Sequence, residues 1–165
     1  MTIKKIKLKK IEFSDLKFMY YLYNEGVKNK VFINKKKITI KNHKEWFLKH
    51  YKSKKTIIYI SNLNNVKIGY VKFDILNKYS AKISIIFKKN HRKKGYASLA
   101  LKFSIIKIQK KININYIYAE VLKKNKISNN FFLKNKFKII INKNKKFLIK
   151  NFNNKNNIYI KKNEK

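Results

Sequence analysis

The run from Ser80 to Val121 constrains this chain more than any other stretch. Ser80 to Phe87 is apolar and rich in isoleucine, as a strand is. A basic segment, Lys88 to Lys94, leads into Gly95. There the pattern changes period: Leu99, Leu101, Phe103, Ile105, Ile106 and Ile108 fill a helix-length segment ending near Lys111. Tyr116 to Val121 reads as a strand again. Strand, helix, strand predicts a parallel pair joined by a crossover. Where the first strand meets the helix, the glycine-bearing loop would aim successive backbone N–H groups and the helix N-terminus at one point. Proteins hold phosphate that way without a dedicated side chain. Gly95 would let the main chain approach closely. Spacing alone fits a solvated lysine turn equally well.

The remaining elements arrange themselves around this unit. Ile3 to Leu8 alternates apolar residues with lysine and reads as a half-exposed strand. Ser14 or Asp15 caps a helix to about Asn24, with Leu16, Met19, Tyr20 and Tyr23 on one face. Lys28 to Lys37 reads as a loop. A second helix runs from Lys41 to Tyr51, opened by Thr39, with Trp46, Phe47 and Tyr51 inward. Thr56 to Ile60 and Lys67 to Ile75 form a hairpin about Asn62 to Asn65. Ser128 to Asn135 is a short helix, followed by a hairpin of Phe137 to Ile141 and Phe147 to Lys150. The chain has no proline and no Gly/Ser-rich linker, so residues 1–152 are expected to form one domain. Residues 153–165 read as an Asn/Lys-rich tail, with an edge strand at Ile158 to Ile160.

Composition matters chiefly for what it discounts. The net charge of +37 invites a nucleic-acid reading. Yet Arg92 is the one arginine among 44 basic residues, and a nucleic-acid reader gains from arginine's bidentate fork. Lysine, asparagine, isoleucine, phenylalanine and tyrosine, all encodable with adenine and thymine alone, make up most of the chain, so base composition accounts for the charge. No cysteine occurs, which excludes disulfide scaffolds and thiolate clusters, and three histidines leave little for a metal site. No metal is expected. The apolar runs, such as Phe18 to Tyr23, are too short to span a membrane, and a soluble cytoplasmic protein is the default.

Against this background Arg92-Lys93-Lys94-Gly95-Tyr96-Ala97 is informative. It resembles the acetyl-CoA loop of the GNAT acetyltransferase superfamily, which reads Arg or Gln, two residues, Gly, one residue, then Gly or Ala. Ala119-Glu120-Val121, Asn125, Ser128 and Lys134-Asn135-Lys136-Phe137 follow at the distances that family uses. The resemblance spans roughly Ile3 to Lys150. It implies an α/β (α+β) fold: a mixed, mainly antiparallel sheet of about seven strands, splayed between the fourth and fifth, with about four helices. It implies acetyl-CoA as co-substrate. Pantetheine would pair with main chain near Ile85, Ile86 and Phe87, its pyrophosphate would sit on Arg92 to Ala97, and Asn125 would face it from the other wall. Asp15, Leu22-Tyr23-Asn24, Ile40, His43, Trp46-Phe47 and Ile68-Gly69 further resemble bacterial UDP-amino-sugar N-acetyltransferases of pseudaminic-acid-type pathways.

That resemblance makes Glu120 the candidate base, although its reference pKa near 4.3 requires burial or a relaying water. As a salt-bridged acid Glu120 needs no catalytic role. A backbone N–H near Ile86 or Phe87 would hold the carbonyl oxygen. Relatives protonate the leaving thiolate with a tyrosine; here that position, on the cofactor side, is Phe132, which has no proton to give, leaving water or Ser128. Lys136 stands where relatives place glycine, and Asn135 is expected to supply the left-handed residue instead. Asn24, His43, Trp46 and Asp74 are the candidate acceptor-side residues, with core packing for Trp46 and a paired structural acid for Asp74 as competing readings. Three functions stand: acetylation of a nucleotide-linked amino sugar, acetylation of a protein or peptide amine, and a non-enzymatic basic domain binding nucleic acid. Oligomeric state is left open.

Overall fold

The computed structural model describes residues 6–28, 36–122, 125–142 and 145–152. The chain runs β1 (Ile6–Lys10), α1 (Leu16–Lys28), α2 (Ile40–Lys52), β2 (Thr56–Leu63), β3 (Val66–Asn77) and β4 (Ser80–Phe87). It continues through α3 (Tyr96–Gln109), β5 (Tyr116–Glu120), α4 (Lys126–Lys134), β6 (Lys138–Asn142) and β7 (Lys145–Asn151). The seven strands lie in the order β1-β2-β3-β4-β5-β7-β6. Every neighbouring pair is antiparallel except β4 and β5, which α3 joins as the crossover.

The sheet is covered on both faces. On one, Met19, Leu22 and Phe47 from α1 and α2 pack on Ile58, Ile60, Tyr70 and Ile86. On the other, Ala100, Leu101, Ile105 and Ile108 of α3 and Phe132 of α4 pack on Val71, Phe73, Ile83, Phe87 and Ile117. α3 is apolar around most of its circumference because it lies in the crossover, whereas α2 buries only His43 and Phe47.

Local chemistry explains the boundaries. Thr39 Oγ1 accepts the N–H of Asn42, capping α2. The β2–β3 turn is tighter than the expected Asn62 to Asn65: Asn64 and Asn65 alone make it, both left-handed (φ 48° and 65°), as a two-residue hairpin turn requires. α1 runs past Asn24 to Lys28, and β5 stops at Glu120. The end of α4 corrects a sequence expectation. Lys136, not Asn135, is left-handed (φ 64°). Phe137 N–H bonds Phe132 O and Lys136 N–H bonds Leu133 O, while the Phe132 and Phe137 rings meet at 5.0 Å. This is a Schellman closure, whose hydrophobic contact offsets the cost of a left-handed lysine. The expected edge strand at 158–160 and most of the loop at 28–37 lie outside the described residues.

Candidate functional site

The site begins where β4 and β5 part. They pair at Ser80 with Tyr116, Ala81 with Ile117 and Lys82 with Tyr118, and no further. Beyond Lys82, β4 keeps β3 on one edge and has no strand on the other among the described residues. The antiparallel ladder fixes which groups face the gap. Lys88 N–H bonds Ile68 O, so the two-residue alternation turns Ile86 toward β3 and leaves the main-chain groups of Ile85 and Phe87 facing away. The Phe87 amide is therefore the one that can serve a carbonyl oxygen in the gap; the Ile86 amide is committed to the sheet.

At the end of β4 the basic loop begins with one 3₁₀ turn, Lys89 to His91. Arg92 Nε donates to Phe87 O at 2.8 Å and its guanidinium reaches Glu25 at 3.4 Å, while Glu25 also takes Lys89 N–H at 3.2 Å. The Arg92 amide bonds Lys89 O. Arg92 thus braces the loop, and the expected amide set shortens by one residue. The amides of Lys93, Lys94, Gly95, Tyr96 and Ala97 meet no main-chain acceptor among the described residues; bonding resumes with Ser98 and Leu99, both onto Gly95 O. Lys93 (φ 59°) and Gly95 (φ 79°) are left-handed, and a Cβ at Gly95 would meet nothing within 4 Å. Free amides, open space and the positive end of a 14-residue helix converge there. Burial lowers the pKa of His91 beside them, and Lys88 and Lys94 lower it further, a mark of the local positive field. The residues present fit a diphosphate.

Behind β4, on the α1/α2 face, lies a cavity of about 400 Å³ lined by Tyr23, Ile38, Asn42, His43, Trp46, Tyr70, Lys72, Ser84 and Ile86. Trp46 stacks on His43 (5.4 Å between centroids, 27°), and Lys72 Nζ lies 5.6 Å from the Trp46 ring. Lys72 is held by Asp74 at 2.7 Å. Burial raises the Tyr70 pKa, with Tyr23 and Asp74 adding to it, so its phenol stays neutral.

Of the residues expected on the acceptor side, His43 and Trp46 line this cavity. Asn24 instead pins the segment that carries Ile38, exchanging two 3.1 Å bonds with that residue's backbone. Asp74 is Lys72's partner, with Thr56 and His50 behind it. Tyr23, Tyr70, Lys72 and Ser84 had not been singled out as site residues. Tyr70, Lys72 and Asp74 share one face of β3, and register sets Tyr70 opposite Ile86 and Lys72 opposite Ser84.

The far wall holds the remaining candidates. Glu120 ends β5, exposed, 4.0 Å from Lys82. Asn125 Oδ1 caps α4 through Ser128 N–H at 3.0 Å. Phe132, expected against the cofactor, is 4% exposed and belongs to the core, its ring set edge-on to Phe131. Among the described residues no cluster of three metal-binding side chains occurs, and no helix is long and apolar enough to cross a membrane.

Among the described residues the sheet splays at its single parallel pair, β4 and β5, and amides that meet no main-chain acceptor stand at the mouth of the gap, where they suit an anionic acyl carrier. The chain matches, over residues 5–138, the family described as acetyltransferase (GNAT) domain. It belongs to that family and is an acetyl-CoA-dependent acetyltransferase. Its fold is similar to that of an N-acetyltransferase from Staphylococcus aureus Mu50 (TM-score 0.76, 20% identity, 89% of this chain and 98% of that one). It is also similar to a spermidine N-acetyltransferase from Vibrio cholerae in complex with CoA and spermine (0.74, 19%, 87% and 92%). A third similar structure is a ribosomal-protein-alanine N-acetyltransferase from Brucella melitensis (0.71, 14%, 87% and 96%). No curated protein sequence matches the chain.

Proposed function

We propose that this acetyltransferase moves the acetyl group of acetyl-CoA to the primary amine of a nucleotide-linked amino sugar. The observation that carries the reading is the placement of two sites on either side of one strand. The free amides of Lys93 to Ala97 stand at the end of β4, and the aromatic cavity lies behind Ser84 and Ile86 of the same strand. Acetyl-CoA supplies an activated acyl carbon; the chain's residues place it. Lys93 to Ala97 take the diphosphate, Ile85 and Phe87 pair with the pantetheine amides, and the Phe87 N–H polarises the carbonyl oxygen. α4, capped by Asn125, closes the other wall with Ser128 in its first turn.

On the acceptor side, Tyr23, Trp46 and Tyr70 line the cavity with aromatic surface suited to a sugar or base, and Lys72 offers a fixed cation to a diphosphate. Asn24 and Asp74 act one step back, holding Ile38 and Lys72. No carboxylate lines the cavity among the described residues, which disfavours a polycationic acceptor. Glu120 is exposed at the end of β5, and it would serve as base only through a relaying water. Phe132 is shut away in the core, so water protonates the thiolate; a thiol of pKa about 8.5 is a tolerable leaving group.

Thiol release from acetyl-CoA, measured with UDP-amino sugars, spermidine and N-terminal peptides, tests the reading. Turnover on a UDP-amino sugar is expected, with Lys72→Met raising its KM and leaving that of acetyl-CoA unchanged. Turnover confined to spermidine or to peptides overturns the acceptor assignment.

A further inference from the structure

Glu25 is an acid set beside a loop assigned to an anion, in a chain with seven acids against 44 lysines and arginines. A carboxylate there repels a diphosphate, so its bonds to the loop call for a reason. Those bonds cross the fold: Lys89 and Arg92 lie 64 and 67 residues further along the chain. Glu25 Oε2 takes the Lys89 N–H at 3.2 Å and the Arg92 guanidinium at 3.4 Å, and Oε1 lies 3.5 Å from the same amide.

The two partners are the two ends of one turn. Lys89 opens the 3₁₀ turn that closes at His91, and the side chain of Lys88 before it gives its amide no cap. Arg92 leaves the turn, its amide bonded to Lys89 O and its Nε reaching back to Phe87 O at 2.8 Å. One carboxylate thus grips the entry and the exit, and the same guanidinium ties the exit to the end of β4. The run of amides that meets no main-chain acceptor among the described residues starts at the next residue, Lys93. The direction in which that run leaves the turn is set by bonds that converge on Glu25.

α1 makes the carboxylate a fixed point. Met19 and Leu22, 0% and 3% exposed, anchor the helix on the sheet. Phe18, Leu22 and Glu25 fall on one side of it by spacing, and Lys88 Nζ lies 5.4 Å from the Phe18 ring. The side chains of Arg92 and Glu25 are 27% and 36% exposed, so their pairing adds little to stability. Its consequence is geometric.

We propose that Glu25 is a positioning residue for acetyl-CoA: acting through Lys89 and Arg92, it holds the turn so that the amides of Lys93 to Ala97 converge on the diphosphate. The inference rests on the assignment of that loop to the diphosphate. Its sign sets it apart from a plain charge effect. A carboxylate acting by charge alone weakens the binding of an anion, so its removal tightens CoA binding. A carboxylate acting by position does the reverse.

Calorimetric CoA titrations of the wild-type protein, Glu25→Ala and Glu25→Gln decide between the two. Glu25→Ala is expected to weaken CoA binding about 10-fold. Glu25→Gln loses the charge while its amide oxygen can still accept the Lys89 N–H, and is expected to weaken binding about 3-fold. Both variants should melt within about 2 °C of the wild type. CoA binding as tight as in the wild type, or tighter, in both variants overturns the inference. A fall of more than about 5 °C in Tm in both would make Glu25 a stabilising residue instead and overturns it equally. A wild-type protein that does not bind CoA overturns the loop assignment itself, and this inference with it.

Discussion

Gly69 and Phe87 face each other across β3 and β4 so closely that a Cβ on Gly69 would lie 2.7 Å from the Phe87 ring and 2.5 Å from Ile86 O. Phe87 is also the residue whose main chain turns into the gap. The glycine thus sets how tightly the functional end of β4 is drawn against β3. Gly69→Ala must push the strands apart there, since backbone oxygen cannot yield as a flexible side chain does. We expect a loss of about 1–3 kcal/mol in stability, the usual range for overpacking, together with at least a 5-fold weakening of CoA binding. Urea unfolding and calorimetric CoA titration check both; unchanged CoA affinity would detach this contact from the site.

The end of α4 carries a strain that can be removed. Lys136 is left-handed, exposed, and completes a Schellman closure by its backbone alone. Lys136→Gly should raise stability by about 1 kcal/mol, because glycine meets no penalty at positive φ. For a chain of this length that is a rise of roughly 2–4 °C in Tm, readable by calorimetry. A fall in Tm would mean that the lysine side chain contributes more than its backbone costs.

Stability should also depend on pH through the histidines. The pKa values of His43, His50 and His91 are all lowered, burial being the leading cause in each. Lys72 adds to the effect at His50, where Asp74 opposes it. An unfolded histidine titrates near 6.5, so below about that pH the unfolded chain takes up protons that the folded chain refuses. Stability is then fully present above 6.5 and declines as the pH falls through the lowered folded values. Urea midpoints at pH 7.5, 6.5 and 5.5 should fall in that order, and His43→Gln should flatten part of the slope. A midpoint that rises toward pH 5.5 would contradict the burial assigned to these rings.

How much of this was legible beforehand follows from how local each signal is. Gly95, the basic loop and the change of period after it lie within thirty residues and marked the crossover, while the splay followed only from the family resemblance. Thr39 marked the start of α2 because capping acts over three residues. Tyr23, Tyr70, Lys72 and Ser84 meet only through the pairing of β3 with β4 and the packing of α1 across them, so no spacing in the chain signals their union. Arg92 sat at the expected place in the loop, yet its side chain turns back to Phe87 and Glu25, a choice set by tertiary geometry. Lys136 carries no local sign of a left-handed backbone; the pull of Phe137 onto Phe132 puts it there.

The central claim is that the amides of Lys93 to Ala97 bind the diphosphate of acetyl-CoA, and a CoA titration of the ¹⁵N-labelled protein followed amide by amide addresses it directly. Saturable shifts at Lys93, Lys94, Gly95, Tyr96 and Ala97, abolished by Gly95→Asp, are predicted. Binding that leaves those five amides in place and moves others, or no binding at all, would contradict it.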